Sequence, residues 1–257
     1  MKTFWRRGSA RAGEKLMPEH GESVQESYFY GVGSHYKNGY RSLRHTFKNQ
    51  IGEIVLKVGH KPSTLLDVGC AFGFLIEDAA ESEIDAYGVD ISRYALSQAP
   101  EPEIKDKVAL GSAANIPFRD GIFEVVTAFE VVEHLSSPQR CLEEFYRILK
   151  DGGFLFLSTP IPNPSAQEDI THVSVRNPNY WISNLRQISF QITPFYHVGP
   201  FHRQSTKKWI RTLFSLSPNK LSGVIEDMAS RILGRLIAKR YHKFVLVAKK
   251  KPTRPEA

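Results

Sequence analysis

Asp67, Gly69 and Gly73 stand in the run Leu-Leu-Asp-Val-Gly-Cys-Ala-Phe-Gly-Phe at 65–74, an apolar stretch that breaks into small residues and resumes as a helical pattern. A strand, a tight turn and a helix in that order let a ligand approach bare backbone at the glycines. The first N–H groups of the new helix can then bond it. Asp90 follows Gly69 by 21 residues, at the end of a second apolar run. In a β-α-β unit this spacing puts an acid at the tip of the second strand, where it can accept hydrogen bonds from both hydroxyls of a ribose.

A second group carries proton or metal chemistry. Glu130, Glu133 and His134 fall at i, i+3 and i+4, so one helical turn would point all three in a similar direction, and His172 follows in a proline-rich stretch. Imidazoles and carboxylates together can take a proton from an acceptor hydroxyl. They can also hold a divalent ion, and a mixed oxygen and nitrogen set suits Mg, Mn, Fe or Co better than structural zinc. Any one of these residues would equally serve as a hydrogen-bonded cap or loop residue.

Two ligands compete for the glycine turn. A dinucleotide site asks for Gly-x-Gly-x-x-Gly, but Ala71 and Phe74 occupy its third and sixth positions. S-adenosylmethionine has no pyrophosphate to cradle and carries an ammonium and a sulfonium, which Asp67 suits directly or through water.

The elements that position these residues alternate strand with helix. Strands are predicted at Thr64–Val68, Ala86–Val89, Val108–Leu110, Phe123–Phe129, Phe154–Ser158, Ile188–Ile192 and Phe244–Val247. Helices are predicted over 41–59, 73–80, 92–98, 139–150 and 179–185, the fourth of them stopped by Asp151-Gly152-Gly153. Residues 159–179 contain Pro160, Pro162, Pro164 and Pro178 and are expected to be largely irregular. The fold class is α/β: a doubly wound, seven-stranded, mostly parallel sheet with helices on both faces, an antiparallel last strand and a helical insertion before it. Residues 1–59 are expected to form an arm and a covering helix, with the aromatic and glycine-rich stretch 28–40 suited to covering a ligand. The main domain would be 60–257, with the basic insertion at about 207–243. Trp181 is expected to pack on the sheet.

Residues 65–74 resemble motif I of the class I, Rossmann-like S-adenosylmethionine-dependent methyltransferases, and Asp90 resembles their ribose-binding acid. The likeness continues through Gly111-Ser112-Ala113-Ala114-Asn115-Ile116-Pro117-Phe118 and Phe129-Glu130-Val131-Val132-Glu133-His134-Leu135. Ala71 replaces the middle glycine, and Ser112 stands where many relatives have Asp. The resemblance implies S-adenosylmethionine as cofactor, held at Asp67, Gly69, Cys70, Ala71, Gly73, Asp90, Ile91, Ser112, Ala113 and Glu130. It implies catalysis by His134 or His172 with Glu133. Glu130, Glu133, His134 and His172 also resemble the Glu-x-x-Glu-His metal site of certain methyltransferases acting on quinols or RNA 2′-hydroxyls. The same Glu-His-Leu element occurs in relatives without metal, so a divalent ion is allowed but not expected.

The expected reaction is O-methylation of a small-molecule, glycan or lipid-linked acceptor. N- or C-methylation and a non-catalytic cofactor-binding partner subunit stay open beside it.

The charge is unevenly placed. Residues 207–257 carry 13 Lys and Arg against three acids, a balance of +10, whereas 1–206 balance at −3. An amphipathic cationic helix there would either pack on its own domain or touch an anionic membrane through 207–251. No RNA-binding module or aromatic-basic platform appears, so a nucleic-acid partner is not expected. The two cysteines, Cys70 and Cys141, lack zinc spacing. The opening residues lack a signal-peptide core, and no run of ~18 apolar residues exists. A cytoplasmic chain, at most peripheral to the inner face of a membrane, is the expectation.

Overall fold

A computed structural model describes residues 26–30, 39–44, 50–193 and 243–252 of the 257-residue chain. Two short elements come first, α1 (Glu26–Phe29) and a 3-10 turn (Tyr40–Leu43), followed by α2 (Gln50–Val58). Then come β1 (Thr64–Val68), α3 (Phe74–Glu81), β2 (Asp85–Asp90), α4 (Arg93–Ser97), α5 (Pro102–Lys105), β3 (Val108–Leu110) and β4 (Phe123–Phe129). A 3-10 turn (Val132–His134) leads to α6 (Pro138–Ile148), β5 (Leu149–Pro160), α7 (Pro164–Glu168), α8 (Pro178–Gln187), β6 (Phe190–Thr193) and β7 (Lys243–Lys250).

The seven strands form one sheet in the order β3-β2-β1-β4-β5-β7-β6. The pairs from β3 through β5 are parallel, and β7 runs antiparallel between β5 and β6. Every residue of β1 is buried, as expected for a central strand covered on both faces. Successive side chains alternate between the faces: Leu66 and Val68 join Phe118, Phe123, Phe145 and Trp181 on one, while Leu65 joins Ile54, Ile76 and Val125 on the other. The chain winds outward in opposite directions from β1 and β4. The strand order thus reverses between these two neighbours, and open α/β sheets bind ligands in the crevice beyond the carboxyl ends of the strands at such a point.

Four sequence expectations need correction. Asp151-Gly152-Gly153 does not stop a helix. Helix α6 ends at Ile148, and Leu149 turns extended to pair with Phe123. The acid and glycines then form a bulge inside β5, with Gly152 at φ 77° and Phe154 next in register opposite Val125. Ile188 caps α8 and Ser189 takes φ 71°, so the sixth strand starts only at Phe190. Glu130 to His134 do not form an α-helical turn: Glu130 adopts φ 57° and only Val132–His134 coil, as a 3-10 turn. The expected helix over 41–59 opens as the 3-10 turn rather than as α-helix; Arg44 and 50–58 are α-helical, and 45–49 lie outside the described residues.

The expected arm at 1–25 and the basic insertion at 207–243, with its membrane contact, also lie outside the described residues, apart from Lys243 at the start of β7. Among the described residues, no helix is long and apolar enough to cross a membrane.

Candidate active site

The turn after β1 is built from left-handed backbone. Gly69 has φ 73°, Ala71 φ 46° and Gly73 φ 79°. Two glycines take this conformation without a Cβ penalty, whereas Ala71 pays for it. Its N–H is directed at the Asp90 carboxylate, Oδ2 at 2.8 Å, and Ser92 N–H donates to Oδ1 at 2.8 Å. Asp90 thus ties the β1 turn to the head of α4, which Ser92 caps through Ala95 N–H. Gly69 and Cys70 N–H both donate to Val89 O at the end of β2. A Cβ on Gly69 would run into Val131 Cγ2, so the bare glycine also lets the turn after β4 close on the turn after β1.

Asp67 lies one strand position before this turn, 7% exposed, and accepts a hydrogen bond from Thr127 Oγ1 on β4 at 2.6 Å. Burial pushes its carboxyl up to about 7, opposed by the Thr127 bond and reinforced by the charge of Asp90. Burial also raises Asp90, against the pull of the Ser92, Ala71 and Ile91 N–H groups. Among the described residues, no cationic side chain contributes to either shift. Cys70 is buried as a free thiol, and burial followed by the two carboxylates holds its pKa well above the usual range. Ile91 is half-buried beside Asp90. Ser112 turns back on itself, its Oγ accepting Ala114 N–H at 3.2 Å, and Ala113 packs into the core.

Two buried carboxylates with no cation beside them among the described residues, set at the carboxyl ends of β1 and β2, suit a ligand that brings its own positive charge. A ribose can donate to Asp90, whose oxygens keep acceptor capacity beyond the two N–H bonds. The donor set fits S-adenosylmethionine.

An aromatic layer covers this turn. Phe29 and Tyr40 pack on Phe72, with ring centroids at 5.2 and 4.8 Å, and Tyr40 stacks on Phe74 at 5.7 Å. Tyr28 extends from the same segment to His134, with centroids 6.4 Å apart and rings nearly perpendicular. The N-terminal segment therefore reaches from the turn after β1 to His134 beyond the end of β4.

That second side is assembled by the 3-10 turn after β4 and the loop after β5. One ligand-capable atom from each of Glu133, His134 and His172 lies within 4.8 Å of the others. Glu133 is fully buried, and its backbone oxygen accepts Ser174 N–H at 2.8 Å. His134 Nδ1 faces Thr171 O at 3.0 Å and His172 Nδ1 faces Ala166 O at 2.9 Å. A carbonyl only accepts, so each Nδ1 carries the hydrogen, and neutral His134 presents the Nε2 lone pair. Burial lowers the His134 pKa, helped by His172 and opposed by the Thr171 bond. His172 Nε2 is directed at Asp169 Oδ2, 3.2 Å away.

Glu130 stands apart from this trio. Its left-handed backbone turns the side chain to Ser158 on β5, whose Oγ donates to Glu130 Oε1 at 2.7 Å. Sequence reading assigned no role to the side chains of Thr127, Val131 and Ser158. Thr127 and Ser158 carry no local signal, because a hydroxyl in a strand gains its role from the neighbouring strand.

Residues 66–157 match the methyltransferase domain family. A mitochondrial ubiquinone biosynthesis O-methyltransferase of Candida albicans is 40% identical over 105 residues, 37% of this chain and 32% of that protein. The Pseudomonas paraeruginosa ubiquinone biosynthesis O-methyltransferase is 33% identical over 118 residues, 43% of this chain and 50% of that one. The chain thus spans a third to a half of the length of these curated relatives. Among solved structures, the [4+2]-cyclase SpnF superposes with a TM-score of 0.56 at 19% identity, covering 90% of this chain and 89% of that one. Phosphoethanolamine N-methyltransferase 2 of Haemonchus contortus, in complex with S-adenosylmethionine, gives 0.54 at 18% identity over 79% of this chain and 53% of that one. The fold and the matched segment define a class I, Rossmann-like S-adenosylmethionine-dependent methyltransferase domain.

Proposed function

We propose that this chain transfers a methyl group from S-adenosylmethionine to an oxygen of a small-molecule acceptor. The observation that carries this reading is the convergence of Glu133, His134 and His172 at the β4 and β5 ends of the crevice, adjoining the turn held by Asp67 and Asp90. Asp67 would face the cationic portion of the cofactor and Asp90 its ribose. Gly69, Cys70, Ala71 and Gly73 would supply the close backbone, with Ile91, Ser112 and Ala113 beside the base. Glu130, bonded to Ser158, would shape the wall between cofactor and acceptor. When bound, the cofactor supplies an already activated methyl group, so orientation can provide much of the rate.

The chain's own task is to orient the acceptor and take its proton. His134 is the better base of the two histidines, because its Nδ1 is satisfied by Thr171 O and burial favours its neutral form. His172 Nε2 is directed at a carboxylate instead. The O-methyltransferase names of the curated relatives agree with an oxygen acceptor.

The same trio favours a second reading, in which Glu133, His134 and His172 hold a divalent ion that lowers the pKa of the acceptor hydroxyl. Calorimetry with S-adenosylmethionine, followed by transfer of labelled methyl to catechols with and without a prenyl chain, to amines and to carbon acids, tests the proposal. Binding plus label on a catechol oxygen is expected. No binding at millimolar cofactor would end the methyltransferase reading, and binding without transfer to any acceptor would favour a partner subunit. Exhaustive chelation separates the two oxygen readings: the rate survives if His134 alone takes the proton. If an ion is held, the rate vanishes and Mg or Mn restores it.

A further inference from the structure

We infer that Asp169, through its two carboxylate oxygens, is the positioning residue that sets the orientation of both acceptor-side histidines. The inference rests on the acceptor site proposed above and assigns a new residue to it. Oδ2 of Asp169 lies 3.2 Å from His172 Nε2. Oδ1 accepts from Thr171 twice, from the backbone N–H at 2.9 Å and from Oγ1 at 2.6 Å. The carbonyl of this same Thr171 receives His134 Nδ1 at 3.0 Å. A continuous path thus runs from His172 through one carboxylate and one threonine to His134.

The remaining bonds hold the path in place. Asp169 follows α7, a single short turn started by Pro164 and capped by Asn163, whose Oδ1 accepts Ala166 N–H at 3.1 Å. Ala166 O fixes the other nitrogen of His172 at 2.9 Å, and His172 N–H returns to Asp169 O at 3.0 Å. Ser174 N–H then fastens the end of the loop to Glu133 O. Without the Thr171 bonds, nothing in this path keeps a carbonyl opposite His134 Nδ1. The ring would be able to turn or take its other tautomer, moving the lone pair away from the acceptor. Asp169 is only about 10% exposed at the side chain, so water replaces its bonds poorly.

The role can be read without any acceptor. Long-range proton–nitrogen NMR of the full-length chain, labelled at histidine, reports which ring nitrogen carries hydrogen. The wild type is expected to show His134 with hydrogen on Nδ1. Asp169→Ala removes both oxygens, so the His134 and His172 ring patterns should both change. Asp169→Glu should recover part of the wild-type pattern. Calorimetric affinity for S-adenosylmethionine should stay within about two-fold, and acceptor turnover should fall ~10- to 100-fold, the usual loss for a residue that orients a site ligand.

An unchanged His134 pattern in Asp169→Ala would overturn the inference. Should Asp169→Ala not fold, Thr171→Val decides it: this variant removes one of the two bonds onto Oδ1 and must alter His134 while leaving the Asp169–His172 pairing. No change at His134 in Thr171→Val refutes the path. Complete absence of methyl transfer by the wild type would remove the proposed function while the ring patterns still decided the positioning role.

Discussion

Asp90 Oδ2 accepts the Ala71 N–H at 2.8 Å, so the acid at the tip of β2 holds the β1 turn at its one non-glycine left-handed residue. The bond explains why alanine is tolerated at a position where glycine would be easier: the carboxylate offsets the conformational cost. Asp90→Ala should therefore act twice. Loss of two charge-assisted bonds predicts a stability loss of roughly 2–4 kcal/mol by urea unfolding. Loss of the ribose acceptor predicts cofactor affinity ~10- to 100-fold weaker by calorimetry. Asp90→Asn, able to keep one N–H partner, should fall between. Wild-type affinity in Asp90→Ala would remove Asp90 from the cofactor site.

Gly69 faces Val131 across the turns that follow the two central strands. Gly69→Ala would force a Cβ into φ 73° and against Val131 Cγ2, predicting a loss of ~2–4 kcal/mol from the two effects together. Adding Val131→Ala removes the collision but not the backbone conflict. The double variant should therefore lose less than the sum of the singles, with coupling of at least ~1 kcal/mol in a double-mutant cycle. Simple additivity would mean that the turns do not touch there.

The central strands were legible because they are buried on both faces and read as continuous apolar runs. Thr64–Val68 and Phe123–Phe129 have the bounds that their sequence suggested. The Asp90 spacing was legible for the same reason, since the β-α-β unit fixes where the second strand ends. Asp151-Gly152-Gly153 misled because an acid and two glycines can end a helix or form a bulge, and only the pairing of Leu149 with Phe123 decides between them. Glu130 misled because i, i+3 and i+4 spacing assumes α-helical backbone, which its φ of 57° breaks. Asp169 stands in the same loop stretch as His172, but its bonds were not legible, because they depend on how that loop folds onto Thr171, His172 and a turn 35 positions earlier.

Asp67 should make stability fall as pH rises. Its folded pKa of about 7 exceeds the ordinary 3.8, so the folded state binds the proton more tightly. Its contribution is full below about 3.8 and is lost as pH rises through 7, with a slope of up to ~1.4 kcal/mol per pH unit between. Unfolding of the cofactor-free chain from pH 4 to 8 should show this slope, and Asp67→Asn should flatten it. A cation beside Asp67 favours the ionised form, so cofactor binding at pH 6 should release a proton. Calorimetry in buffers of different ionisation enthalpy measures that release, and its absence would place the cofactor's charge elsewhere.

His134 should set the acid limb of the rate. Burial lowers its pKa below 6.5, so the lone pair on Nε2 persists into mildly acidic solution and is lost only when the ring protonates. The turnover rate on a catechol should hold as pH falls through 6.5 and drop below that value. His134→Gln removes the base but retains a polar side chain of similar reach. It should lower turnover ~100- to 10,000-fold with calorimetric affinity for S-adenosylmethionine unchanged, and the acid limb should disappear from what activity remains. Because His134 meets Tyr28 edge-on, Tyr28→Ala provides the control for packing. It should raise KM for the acceptor while keeping the limb, since the proton acceptor is still present. A limb that survives in His134→Gln would assign the titration to another group and leave His134 as a wall residue of the crevice.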